Sequence, residues 1–88
     1  MAEGSWQGFL DLLEKQQDAR ALERLFDMLL TQDERASVGD RLAIFRALIA
    51  GGESQRDVAA RLGVSIAKVT RCSNNLKQFS SAEKNILQ

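Results

Sequence analysis

The stretch "QRDVAARLGVSIAKVTR", residues 55–71, constrains this chain more than any other. Ala59 and Gly63 lie four residues apart within it. A small residue lets two helices cross closely. A glycine lets the chain turn through a positive φ at little steric cost. Val58, Leu62, Val64 and Val69 fall at inward positions around that crossing, and polar or basic residues fill the outward ones. This is helix-turn-helix spacing, in which the second helix enters a DNA major groove by its N-terminal end. A structural helical hairpin with an intervening glycine uses the same spacing, so charge must help to decide.

The chain is neutral overall, with 12 bases and 12 acids in 88 residues. Those charges are sorted. Residues 1–53 carry ten acids and six bases, a net −4; residues 54–88 carry six bases and two acids, a net +4. No acid lies between Asp57 and Glu83. A one-signed stretch over a helix-turn-helix is the footprint expected for a polyanion.

The rest of the chain reads as helix. Proline is absent, and strong helix formers are plentiful. Trp6, Phe9, Leu10 and Leu13 have helical spacing, with Ser5 expected as the cap. Leu22, Leu25, Phe26, Leu29 and Leu30 make a second apolar face after a break near Asp18. Thr31 and Glu34 form a capping box for a third helix, whose apolar positions are Val38, Leu42, Phe45, Leu48 and Ile49. Gly51 and Gly52 stop it. Ser54 and Ser65 cap the two helices of the motif. Ser80 or Ser81 starts a short last one.

Several function classes are excluded. There is no histidine, so the usual general base near neutral pH is missing, and no enzyme is expected. One cysteine without histidine makes no zinc site and no intramolecular disulfide, which fits a reducing cytoplasm. No signal peptide or span of about 20 apolar residues is present. The expected protein is soluble and cytoplasmic, in one domain of about 88 residues.

The stretches "LLTQDERASVGDR", "GGESQRDVAARLGVSIAKVTR" and "SNNLK" resemble the Trp repressor family, in order and from about Leu22 to Leu87. That family's pattern runs L-T-P-D-E-R, then S-Q-R-E, then I-A-T-[IV]-T-R-G-S-N-S-L-K. The resemblance implies an all-α, entwined homodimer of about six helices per chain. Residues 1–53 would form the dimerisation core, 54–77 the helix-turn-helix head, and 78–88 a C-terminal helix completing the core. It implies a sequence-specific repressor of tryptophan metabolism genes, acting on double-stranded operator DNA with L-tryptophan as corepressor and no other cofactor.

Carried over by position, Arg41 and Arg71 would flank the indole, where a guanidinium stacks on an aromatic face. Arg71 would also pair with the ligand carboxylate. Backbone carbonyls of Met28 and Leu30 would receive the ammonium, and Thr31, Cys72 and Asn75 would line the pocket. Gln55, Arg56, Ile66, Ala67, Lys68, Thr70 and Lys77 would face DNA. Arg56 is the expected base contact, since arginine matches the two acceptors of guanine; Lys77 is expected on phosphate.

Departures from the pattern are informative. Cys72 stands where the family has a glycine against the indole, Asn75 where it has a serine, Lys68 where it has a threonine, and Gln32 where it has a proline. The first two leave open a second function, a DNA-binding regulator that responds to another small ligand or to none. A third, of a different class, is a helical dimerisation module whose basic face meets an acidic protein.

Overall fold

A computed structural model describes the backbone of residues 2–88 and the side chains of residues 4–88. Six helices follow in order: α1 (Ala2–Glu14), α2 (Ala19–Leu29), α3 (Gln32–Ala50), α4 (Gln55–Leu62), α5 (Ile66–Leu76) and α6 (Ser81–Leu87). No strand occurs among the described residues, and the fold is the expected all-α one. Among the described residues no helix is long and apolar enough to cross a membrane. The chain forms two compact units, residues 1–35 and 36–88.

Local chemistry explains most of the helix boundaries. Asp18 is extended and its carboxylate accepts from the Ala21 N–H at 2.8 Å, which starts α2. The Thr31 hydroxyl accepts from the Glu34 N–H at 3.1 Å, while the Glu34 carboxylate accepts from the Thr31 N–H at 2.8 Å. That reciprocal pair is the expected capping box, and it satisfies two donors that the helix itself leaves open. Ser80 and Glu83 repeat the device at α6, which settles the choice between Ser80 and Ser81. Gly51 and Gly52 have φ of 74° and 88° and follow the end of α3 as expected. The expected cap at Ser5 is not found, because α1 begins upstream and Ser5 lies inside it. Ala2 and Glu3 favour a helix, which then runs on through Gly4.

In the first unit Leu25 is buried. Trp6 and Phe9 lie 5.4 Å apart between ring centroids, and Phe9 and Phe26 lie 6.4 Å apart. These are ordinary spacings for tilted aromatic pairs. Trp6 nevertheless remains 58% exposed.

The second unit has a core of its own. Ile44 and Ala47 of α3 pack with Val58 and Ala59 of α4 and with Val69 and Cys72 of α5. Phe45, Leu48, Leu62 and Val64 lie against this cluster, half-buried. The inward positions expected of the motif are therefore the ones that turn inward. On α3 the expected apolar stripe is only partly right. Val38 is exposed, whereas Ile44 and Ala47 are buried. Ala47 follows Val38 by nine residues, about two and a half turns, so it points the opposite way. The helix is apolar most of the way round: Phe45 and Leu48 of the expected stripe flank the core, while Val38 marks the side away from it. Phe45 meets Phe79 at 5.3 Å, and the Arg46 guanidinium donates to the Leu87 carbonyl at 2.7 Å. These contacts tie the end of the chain to α3, although α6 itself buries no residue.

Candidate nucleic-acid interface

Two short capped helices build the candidate interface. The Ser54 hydroxyl accepts from the Asp57 N–H at 3.0 Å to start α4, and the Ser65 hydroxyl accepts from the Lys68 N–H at 3.0 Å to start α5. Gly63 joins them at φ 68° and ψ 35°, the left-handed cap conformation. A Cβ at Gly63 would meet nothing within 4 Å. Backbone conformation alone, and not crowding, therefore selects glycine here. Ala59 is 4% exposed at the helix crossing, as a close approach requires.

Gln55, Arg56, Ile66, Ala67, Thr70 and Lys77 are all exposed. Ile66 is 48% exposed at the first position of α5, an apolar side chain held in water. The Thr70 hydroxyl donates to the Gln55 side-chain oxygen at 2.8 Å. This bond ties the first residue of α4 to the middle of α5, so the outward row comes from two helices braced against each other.

The bases are less uniform than their sequence order suggests. Arg61 donates twice to the Glu53 carboxylate, at 2.8 and 2.7 Å. Those bonds hold the Glu53 carboxyl below the usual carboxylate range and raise the Arg61 guanidinium above its own. Lys68 is half-buried, with its ammonium 3.3 Å from Asp40 of α3. Both acids lie outside the acid-free stretch, so folding narrows the positive surface that the sequence order implies. Among the described residues, Arg56, Arg71 and Lys77 form no ion pair.

The residues expected to hold a ligand fall in both units. In the second, Arg41 of α3 and Arg71 and Asn75 of α5 are exposed. Arg71 and Asn75 are four apart and share a helix face. Cys72 between them is 4% exposed and belongs to the core cluster. Burial pushes its thiol up, against the opposing charges of Arg41, Arg71 and Lys68. Burial thus outweighs the charges of those three cations, opposite to the lowering that a redox-sensing thiol needs.

In the first unit Met28 is 72% exposed, Leu30 is half-buried, and the Thr31 hydroxyl is taken up in capping α3. The Phe26 carbonyl accepts from the Leu30 N–H at 2.9 Å. Met28 lies closer to the end of α2, among the carbonyls that a helix leaves without an internal partner. A surface depression of about 410 Å³ on α2, lined by Ala19, Arg20, Glu23, Arg24 and Asp27, contains none of the expected ligand residues.

One residue of the interface was not expected. Nothing in the sequence pattern singles out Asp40, and its contact with Lys68 spans 28 residues. A pairing that distant has no local signal.

Comparison with known proteins gives consistent matches. A family model described as "Trp repressor protein" matches residues 4–88. A Trp operon repressor homolog of Chlamydia trachomatis serovar D is 44% identical over 86 residues, which cover 98% of this chain and 92% of that protein. A Trp operon repressor homolog of Vibrio parahaemolyticus is 43% identical over 83 residues, covering 94% of this chain and 81% of that protein.

Proposed function

The chain belongs to the Trp repressor family, a family of regulators and not of enzymes, and from that premise we propose that it is a dimeric, operator-binding repressor whose affinity for DNA rises with L-tryptophan. The observation that carries the DNA half is the braced outward row of Gln55, Arg56, Ile66, Ala67 and Thr70. Its α5 end would enter the major groove, the docking already established for this family's heads. Arg56 offers the paired donors that guanine accepts. Ile66 offers an apolar contact of the sort a thymine methyl takes. Lys77 lies at the far end of α5 and would hold a phosphate, which fixes register without reading sequence.

The ligand half rests on complementary charge. The end of α2 carries unpartnered carbonyls and the negative end of a helix dipole, which suit an ammonium. Arg41 and Arg71 suit an indole face and a carboxylate. Ligand and operator would then tighten each other's binding by the same factor. A second reading keeps the operator and changes the ligand. It is favoured by Cys72, a buried thiol beside Arg71 at the family's glycine position.

Gel shifts on a palindromic Trp-type operator, with and without L-tryptophan and at two salt concentrations, test both halves. The expected result is a shift that strengthens with L-tryptophan and keeps a large ratio over a scrambled duplex. Arg56→Ala should weaken operator binding by about 1–3 kcal/mol and relax preference at one base pair. Operator binding indifferent to tryptophan selects the second reading. Equal binding to every duplex rejects both.

A further inference from the structure

The Asp40–Lys68 contact is a long-range link between α3 and the candidate reading helix. Lys68 lies in the first turn of α5, whose N-terminal dipole end is positive. A lysine there is unfavourable, and α5 has no acid in its first turn to offset it. Asp40 supplies the missing negative charge from another helix. The geometry also sets Lys68 apart from its neighbours. Ile66, Ala67, Thr70 and Arg71 are exposed, whereas Lys68 is half-buried next to the buried Val69.

We propose that Asp40 is a positioning residue that withholds Lys68 from the DNA backbone and so limits binding to non-cognate duplexes. The inference rests on the DNA-binding reading above. A free lysine at the head of a groove-entering helix would engage the nearest phosphate of any sequence. Each such contact releases condensed counterions and strengthens binding without regard to the bases. A lysine paired with a carboxylate contributes less to such a contact, most of all at low salt where the pairing is least screened. Asp40 thereby exchanges affinity for discrimination, and it acts through Lys68 alone.

The test compares salt dependence for the native chain, Asp40→Asn, Lys68→Gln, the double variant and Asp40→Glu, on a Trp-type operator and a scrambled duplex. Helical circular dichroism checks the fold of each. Asp40→Asn should steepen the slope of log K against log salt by about 0.9 per head, the value of one phosphate contact. On the scrambled duplex it should raise affinity roughly three- to tenfold per head near 0.1 M salt. Lys68→Gln should keep the native slope, and so should the double variant and Asp40→Glu.

An Asp40→Asn slope equal to the native one overturns the proposal. A flatter slope for Lys68→Gln overturns it too, because the lysine would then already be on phosphate. A double variant as steep as Asp40→Asn shows that Asp40 acts by its own charge, and also defeats it. If the native chain binds neither duplex at low salt, the DNA-binding reading itself fails, and this inference falls with it.

Discussion

The two units of the chain differ in what they bury. Residues 36–88 enclose six core residues from three helices, and Ile44, Val58 and Val69 reach 0% exposure. Residues 1–35 bury Leu25 but leave Trp6, Leu12, Met28 and Leu29 exposed. Both units leave some large apolar groups in water, Val38, Ile66 and Ile86 in the second, but only the second encloses a multi-helix core. α3 runs through both units, with Ile44 and Ala47 buried on one side and Val38 exposed on the other. The contrast teaches that the head closes a core within a single chain, whereas the N-terminal helices bury Leu25 and leave most of their large apolar groups for a further surface to cover if one meets them. For the proposed homodimer that surface is another copy.

The strongest way to break this contrast is in the head. Ile44→Ala removes a fully buried side chain and should cost about 2–5 kcal/mol. Urea unfolding at several protein concentrations measures it. A cost below about 1 kcal/mol would mean that the head does not depend on this core.

Met28→Glu tests the other side. With Met28 72% exposed, the change should leave the isolated chain's fold intact. At a self-association surface it should weaken the dimer tenfold or more, about 1.4 kcal/mol, as read by sedimentation equilibrium. Unchanged self-association places the second copy elsewhere.

How much of this was legible in the sequence follows from range. Thr31, Ser54, Ser65 and Ser80 cap helices through bonds to residues three ahead, so residue order alone reveals them. Gly63 was legible because its positive φ belongs to its own backbone. The outward row of Gln55, Arg56, Ile66, Ala67 and Thr70 follows from the helix register around those two landmarks. Ser5 misled because a serine can also sit inside a helix whose start lies further upstream. Val38 misled because α3 is apolar most of the way round, and periodicity does not choose between its faces. Asp40 and Lys68 were illegible as a pair, since only the packing of α3 against α5 brings them together.

The smallest expected effect sharpens the comparison, because it concerns how the head holds itself without a partner. Glu53 precedes α4 and receives two hydrogen bonds from Arg61 in that helix's last turn. The bonds keep its carboxyl below the ordinary range in the folded chain. A depressed folded pKa means that unfolding takes up protons. The contribution is therefore complete above the unfolded carboxyl's pKa and disappears as pH falls through the folded one. Both groups are solvent-exposed, so salt should screen the pairing as well. Glu53→Gln should unfold slightly earlier than the native chain at neutral pH in thermal melts. The two melts should converge on acidification, and also at high salt. A gap that persists unchanged in acid would mean that Glu53 acts through packing and not through its charge.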